Sequence, residues 1–333
     1  MSGEYRGGRN GQKSDVKLVV TIDTEEDNWG AFRLPRYTCE NIARIPRLQE
    51  IFDTFNVTPT YLLTYPVATD EKSVSILRAI SDAKRCEIGA QCHPWNTPPF
   101  GEERNAGNSM LCNLPADLQY AKLKSLQQTI REHFGVDPIS FRSGRFAYNT
   151  SVARNLHRLG YKIDTSITPY TNWTRSHGTD FTRLSPRPFR FGKENAFEEC
   201  AGGDLIEVPV TVGFLQRDFR RSNYISEAVM RSPINKLRLT GLLYRLRLVN
   251  KVWLSPEVSD SRTMIRLAQT MRRNGYPILN LVCHSPGLKA GLTPFTRTEA
   301  EEKRPLLRLQ EFLVFAREAG IEPIRLSEVQ TLV

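Results

Sequence analysis

The feature that most limits what this chain can become is an alternation. Short apolar, β-branched runs recur along it, separated by amphipathic segments of helix length, and the runs end in ionisable residues. Residues 17–22, KLVVTI, form a continuous, β-branched run after the lysine, as in a strand covered on both faces. Further strands are predicted over 59–63, 87–92, 139–142, 162–166, 205–212, 277–283 and 322–325, with Pro209 arguing for irregularity in the sixth of the eight. Helices are predicted over 46–55, 73–84, 115–134, 151–159, 263–273 and 299–319. Strands joined by helices call for crossover connections and a parallel sheet. Seven or eight such strands in one domain length predict a closed or nearly closed barrel, with a doubly wound open sheet as the alternative. No GxGxxG or Walker pattern follows a strand, which argues against a nucleotide site.

The 333 residues are read as one elaborated barrel over 16–333 after a polar, Gly-rich flexible tail over 1–15. That start lacks the apolar segment of a secretory signal, and no run approaches the roughly 20 apolar residues of a spanning helix. Six cysteines without a CxxC pair describe neither a disulfide framework nor a zinc ribbon, so reduced thiols in a cytoplasmic protein are expected.

In a βα barrel the carboxyl ends of the strands meet at one face. The predicted strands deliver Asp23 with Glu25, Glu26 and Asp27, then Gln91, Cys92 and His93, then Arg142, Asp164, and finally His284 with Ser285. Singly, each has an ordinary structural reading. A strand-end aspartate often caps a helix, the acidic run reads as a solvated first turn, and a lone histidine is commonly a satisfied core residue. Cys92 and Cys283 alternate away from the histidines, into packing. Together the set suits metal-assisted hydrolysis. Carboxylates and imidazoles bind a zinc-like ion, a second carboxylate takes a proton from water, a histidine protonates a leaving amine, and an arginine orients the base. His133, His157 and His177 fall on helices or in a long loop and are read as structural.

The order TIDTEED, EIGAQCHPWNTPP, FRSGRF, YKIDTSI and LNLVCHSPG resembles the polysaccharide deacetylases of the NodB-homology class. LSPE and GLTPFTRTEA bring it nearest the WalW-type branch. The resemblance spans almost the whole chain. It implies an irregular (β/α)7–8 barrel, and removal of N-acetyl groups from sugars with a divalent metal, usually zinc. By position, Asp23 resembles the catalytic base, Arg142 the arginine that holds it, His284 the general acid, and Asp164 the aspartate that orients that acid. Thr24 stands where the metal carboxylate usually follows the base, so Glu25 is taken for that ligand, with His93. Gln91 stands where the first metal histidine is expected, and its neutral oxygen completes the implied ligand set.

The formal charge is +10, and nine basic against two acidic residues lie within 217–251. That stretch is read as a basic helical insert, with Leu239, Leu242, Leu243 and Leu246 at helical spacing. It could dock on the barrel or meet an anionic membrane surface. Nucleic acid is not expected, because aromatic stacking residues are sparse there. The expected partner is a carbohydrate substrate. The alternatives are a non-catalytic barrel that binds glycan, consistent with Gln91, and an amidohydrolase acting on a non-sugar linear or cyclic amide.

Overall fold

β1 (Lys17–Thr24) is the hub of the sheet. It runs parallel to β10 (Ile278–His284) over seven register pairs on one side and to β2 (Thr60–Leu63) and β11 (Glu322–Pro323) on the other. The computed structural model describes residues 16–27, 29–32, 36–231 and 248–333. The expected tail over 1–15 and most of the expected insert over 217–251 lie outside them. From β2 the parallel sheet continues through β3 (Glu87–Cys92), β4 (Ser140–Ser143), β5 (Ile163–Asp164) and β7 (Leu205–Glu207), and β6 (Phe189–Phe191) pairs antiparallel at the edge. α1 (Ile45–Thr54), α2 (Tyr65–Thr69), α3 (Glu71–Asp82), α4 (Ala116–Phe134), α5 (Thr150–Arg158), α6 (Phe219–Arg231), α7 (Ser261–Arg273) and α8 (Glu299–Glu318) complete a curled (β/α) barrel, as expected. Among the described residues no helix is long and apolar enough to cross a membrane.

The helix ends follow local chemistry. Asp70, Asn149 and Asp260 accept hydrogen bonds from the backbone N–H of Ser73, Val152 and Thr263, capping α3, α5 and α7. Alternation along β1 sets the two layers. Leu18, Val20 and Ile22 pack in the main core with Leu48, Phe52, Leu309 and Phe312 of the helices, while Val19 joins a smaller inner cluster floored by Leu326 and Val329. Thr21 and Asp23 share the inner face with Val19. Cys92 and Cys283 lie in the main core, turned from the site as expected.

The one strand expected over 205–212 is broken. β7 stops at Glu207, and β8 (Val212–Phe214) instead pairs antiparallel with β9 (Lys251–Trp253). Pro209 lacks a ladder donor, and the gap is closed by backbone and side-chain bonds together. Thr211 N–H donates to the Asn280 carbonyl, and the Asn280 carboxamide donates to Val208 O and Thr165 Oγ1. A polar stitch therefore stands in for a regular strand where the barrel closes.

Candidate active site

Register brings distant residues together. β1 and β10 set Asp23 opposite His284, and β3 and β4 set Gln91 opposite Arg142. These ends open into a cleft of about 310 Å³, lined also by Glu25, His93, Trp29, Trp95, Arg145, Phe146 and Trp173.

Asp23 is held by a fully buried arginine. Arg142 Nη1 donates to Asp23 Oδ1, Nη2 donates to Thr21 Oγ1 at 2.8 Å and Thr165 Oγ1 at 3.0 Å, and Nε donates to the Thr165 carbonyl at 2.9 Å. A guanidinium without water needs such a set of acceptors, and here it fixes the carboxylate in turn. His284 Nε2 lies 3.4 Å from Asp23 Oδ2, and its Nδ1 donates to Glu257 Oε2 at 2.8 Å. That bond leaves Nε2 as the atom facing the cleft. Burial alone would lower the His284 pKa, but the Glu257 and Asp23 carboxylates outweigh it and raise the imidazole to about 10. Gly287 makes this packing possible, since a Cβ there would stand 2.4 Å from Glu257 Oε1.

Glu25 and His93 form the other half. Gln91 Nε2 donates to Glu25 Oε1 at 2.7 Å and to Asp23 Oδ2 at 3.3 Å, and His93 Nε2 lies 3.5 Å from Glu25 Oε1. Burial lifts the Glu25 carboxyl to about 7 against the pull of His93 and His284. Burial would lower His93, but Glu25 and Glu26 raise it. The His93 ring stacks on Trp95 at 4.2 Å, and its other flank lies where a Cβ on Gly144 would be, 1.7 Å from His93 Cδ2. The acidic run is not a solvated turn, the ordinary reading of such a run taken singly. Glu26 is buried and accepts from Asn96 Nδ2 and Thr64 Oγ1, and Asp27 accepts from the backbone N–H of Glu40 and Asn41. Both tie the loop after β1 to its neighbours.

Two expected residues are placed differently. Asp164 is expected beside His284; in the structure it is Glu257 that accepts the hydrogen bond from His284 Nδ1. The Asp164 carboxylate turns to Ser166 Oγ at 2.7 Å and sits opposite Glu207 across β5 and β7. Glu257 follows β9, an element that the sequence pattern missed, although its LSPE segment was a visible signal. The second is Gln91. Its nitrogen, not its oxygen, faces the carboxylates, because two neighbouring acids draw a donor between them. His133 and His157 are structural, bonded to the Ala68 carbonyl and to Asp204.

Asp23, Glu25 and His284 offer ligand atoms within 4.8 Å of one another, with His93 beside Glu25. Glu25 Oε2 and Gln91 Oε1 are buried acceptors that no donor among the described residues reaches. Buried acceptors in a carboxylate and imidazole cluster fit a divalent cation, and a turn of the Gln91 carboxamide would add its oxygen.

No family model matches the chain, and no curated protein does. Solved structures do. A "putative polysaccharide deacetylase" from Mycobacterium smegmatis is similar at 17% identity and a TM-score of 0.57, over 97% of this chain and 91% of that one. A "putative glycoside hydrolase/deacetylase" from Parabacteroides distasonis is similar at 12% identity and a TM-score of 0.61, over 96% of this chain and 71% of that one. At such identities the likeness establishes architecture, and the chain has the (β/α) barrel fold of the polysaccharide deacetylases.

Proposed function

We propose that the protein is a metal-dependent hydrolase that removes the N-acetyl group from a sugar or glycan precursor. The observation that carries this reading is the pair at the cleft floor: Asp23 held by Arg142, and His284 held by Glu257. Asp23 takes a proton from the attacking water as its oxygen bonds to the acetyl carbon. His284 gives its proton to the amide nitrogen as the C–N bond breaks, leaving acetate and a free amine. Arg142 and Glu257 orient the two. Glu25 and His93, with Asp23 and the Gln91 oxygen at hand, would hold the ion, and zinc suits such oxygen and nitrogen donors. When bound, it supplies Lewis acidity toward the amide carbonyl and the water. Trp29, Phe146 and Trp173 line the cleft, and aromatic rings there suit the apolar side of a sugar. The LSPE segment, through Glu257, supports a WalW-type reading, and residues 16–333 are read as one domain with 217–251 as its insert. The test is metal analysis of the purified protein together with acetate release from N-acetylated oligosaccharides. Release that depends on added zinc or cobalt and is lost in Asp23→Asn is expected. No bound metal and no acetate would sink the reading.

A second reading, a barrel that binds glycan without hydrolysing it, is favoured by one contact. The Gln91 nitrogen bridges Asp23 and Glu25, where a cation would otherwise be needed.

A further inference from the structure

The cations of the cleft differ in one respect. Arg142 pairs with Asp23, His284 with Glu257, and His93 lies 3.5 Å from Glu25. Arg145 lines the same cleft, and among the described residues no carboxylate pairs with it. Its Nη1 donates to Ser109 Oγ, and its Cζ lies 5.9 Å from the Phe32 ring centre. Ser109 uses one of the guanidinium's several N–H donors. The side chain is half-buried, and burial with no acid opposite pushes its pKa down.

The backbone reinforces the point. Arg145 and Phe146 both have φ of 57°, in the left-handed region that side-chain-bearing residues seldom adopt. The preceding Gly144 is pressed against His93. Such strain persists where the surroundings over-determine it, commonly at ligand sites. Here it falls in the turn directly after β4, the strand that carries Arg142, and sets Arg145 and Phe146 on the wall of the cleft. An unpaired, partly desolvated guanidinium is poorly matched to a neutral acetamido sugar and well matched to a carboxylate or phosphate, which its planar fork can bind through two parallel hydrogen bonds.

We infer that Arg145 is the anion-recognising group of this cleft, and that the sugar it takes carries a carboxylate or phosphate beside its acetamido group. This rests on the reading above and narrows its substrate class to acidic N-acetylated sugars. Its test is binding, not turnover.

The experiment is calorimetric titration of the full chain with N-acetylglucosamine, its 1-phosphate, its 6-phosphate and N-acetylmuramic acid. The phosphate and carboxylate arms tell which anion is preferred. At least one acidic sugar should bind about tenfold tighter than the neutral one, the scale of one charge-assisted contact. Arg145→Asn should collapse that gap to below about twofold, and Asn tolerates the left-handed backbone better than most residues. Arg145→Lys should keep part of it, as a point charge without the fork. No preference for any acidic sugar in the unaltered protein, which needs no variant to fold, overturns the inference. So does a gap that survives Arg145→Asn. A protein that prefers acidic sugars yet releases no acetate would keep this inference and sink the deacetylase reading. One that deacetylates neutral oligosaccharides without an anion preference would do the reverse.

Discussion

The Gln91 carboxamide nitrogen lies 2.7 Å from Glu25 Oε1 and 3.3 Å from Asp23 Oδ2, so one neutral side chain bridges the two acids of the site. An amide donor satisfies these oxygens only weakly, and burial lifts Glu25 to about 7. An imidazole at the same register position would add a nitrogen ligand next to His93. Gln91→His should tighten zinc binding by tenfold or more, measured by competition with a chelating dye. Acetate release that appears only in this variant would decide for the non-catalytic reading of the natural chain. Unchanged zinc affinity would show that Gln91 does not border the ion.

Glu257 is predicted to matter more than Asp164. Its bond to Nδ1 sets which His284 nitrogen faces the cleft. Glu257→Gln should lower kcat roughly 10- to 100-fold with little change in KM, within the range expected for disturbing a general acid. Gly287→Ala should act in the same direction, because its Cβ would stand 2.4 Å from Glu257 Oε1 and displace the carboxylate. Asp164→Asn should cost less than either in steady-state kinetics. A larger loss in Asp164→Asn would restore the role that the motif order suggested.

The difference between those two acids shows what the sequence made legible. The parallel order of β1 to β5 followed from runs of apolar residues, and strand ends named Asp23, Arg142 and His284 because a parallel barrel gathers such ends on one face. What failed was the direction of side chains after short or irregular strands. β5 is two residues long, so nothing in its pattern showed that Asp164 turns to Ser166 rather than towards His284. β9 is three residues long, too brief to stand out, and so Glu257 went unassigned. Glu26 and Asp27 read as solvated because a charge run normally is; their burial depends on Asn96, Thr64 and Asn41, partners distant in sequence. The carboxamide of Gln91 could be placed but not oriented, since its direction depends on the two acids it meets.

Lys122 anchors the loop that follows β3. It projects from α4, is fully buried, and its Nζ donates to the carbonyls of Pro94, Thr97 and Pro99 while pairing with Glu102 at 2.8 Å. The same loop carries Trp95 and Asn96, which contact His93 and Glu26. Lys122→Met would strand a buried carboxylate and three carbonyls, and should cost roughly 3–5 kcal/mol in denaturant unfolding. A loss below about 1 kcal/mol would mean that water replaces the ammonium without difficulty. The double variant Lys122→Met, Glu102→Gln should recover part of the loss.

The buried pair Asp164 and Glu207 predicts how stability varies with pH. Burial, and then the neighbouring Asp164 carboxyl, push Glu207 well above its ordinary value of 4.5. The folded protein therefore keeps a proton on Glu207 that the unfolded chain gives up. Below the unfolded value both states are protonated, and the site costs nothing. As pH rises past 4.5 the unfolded chain ionises first, so stability falls until the folded-state value is reached. Glu207→Gln removes the proton while its carbonyl oxygen can still accept from the Ile167 N–H, a bond of 3.0 Å in the natural protein. The variant should match the natural protein near pH 4.5 and exceed it increasingly towards pH 8, read from denaturant midpoints at several pH values. A difference that stays constant, or narrows with rising pH, would show that Glu207 is ionised in the folded state.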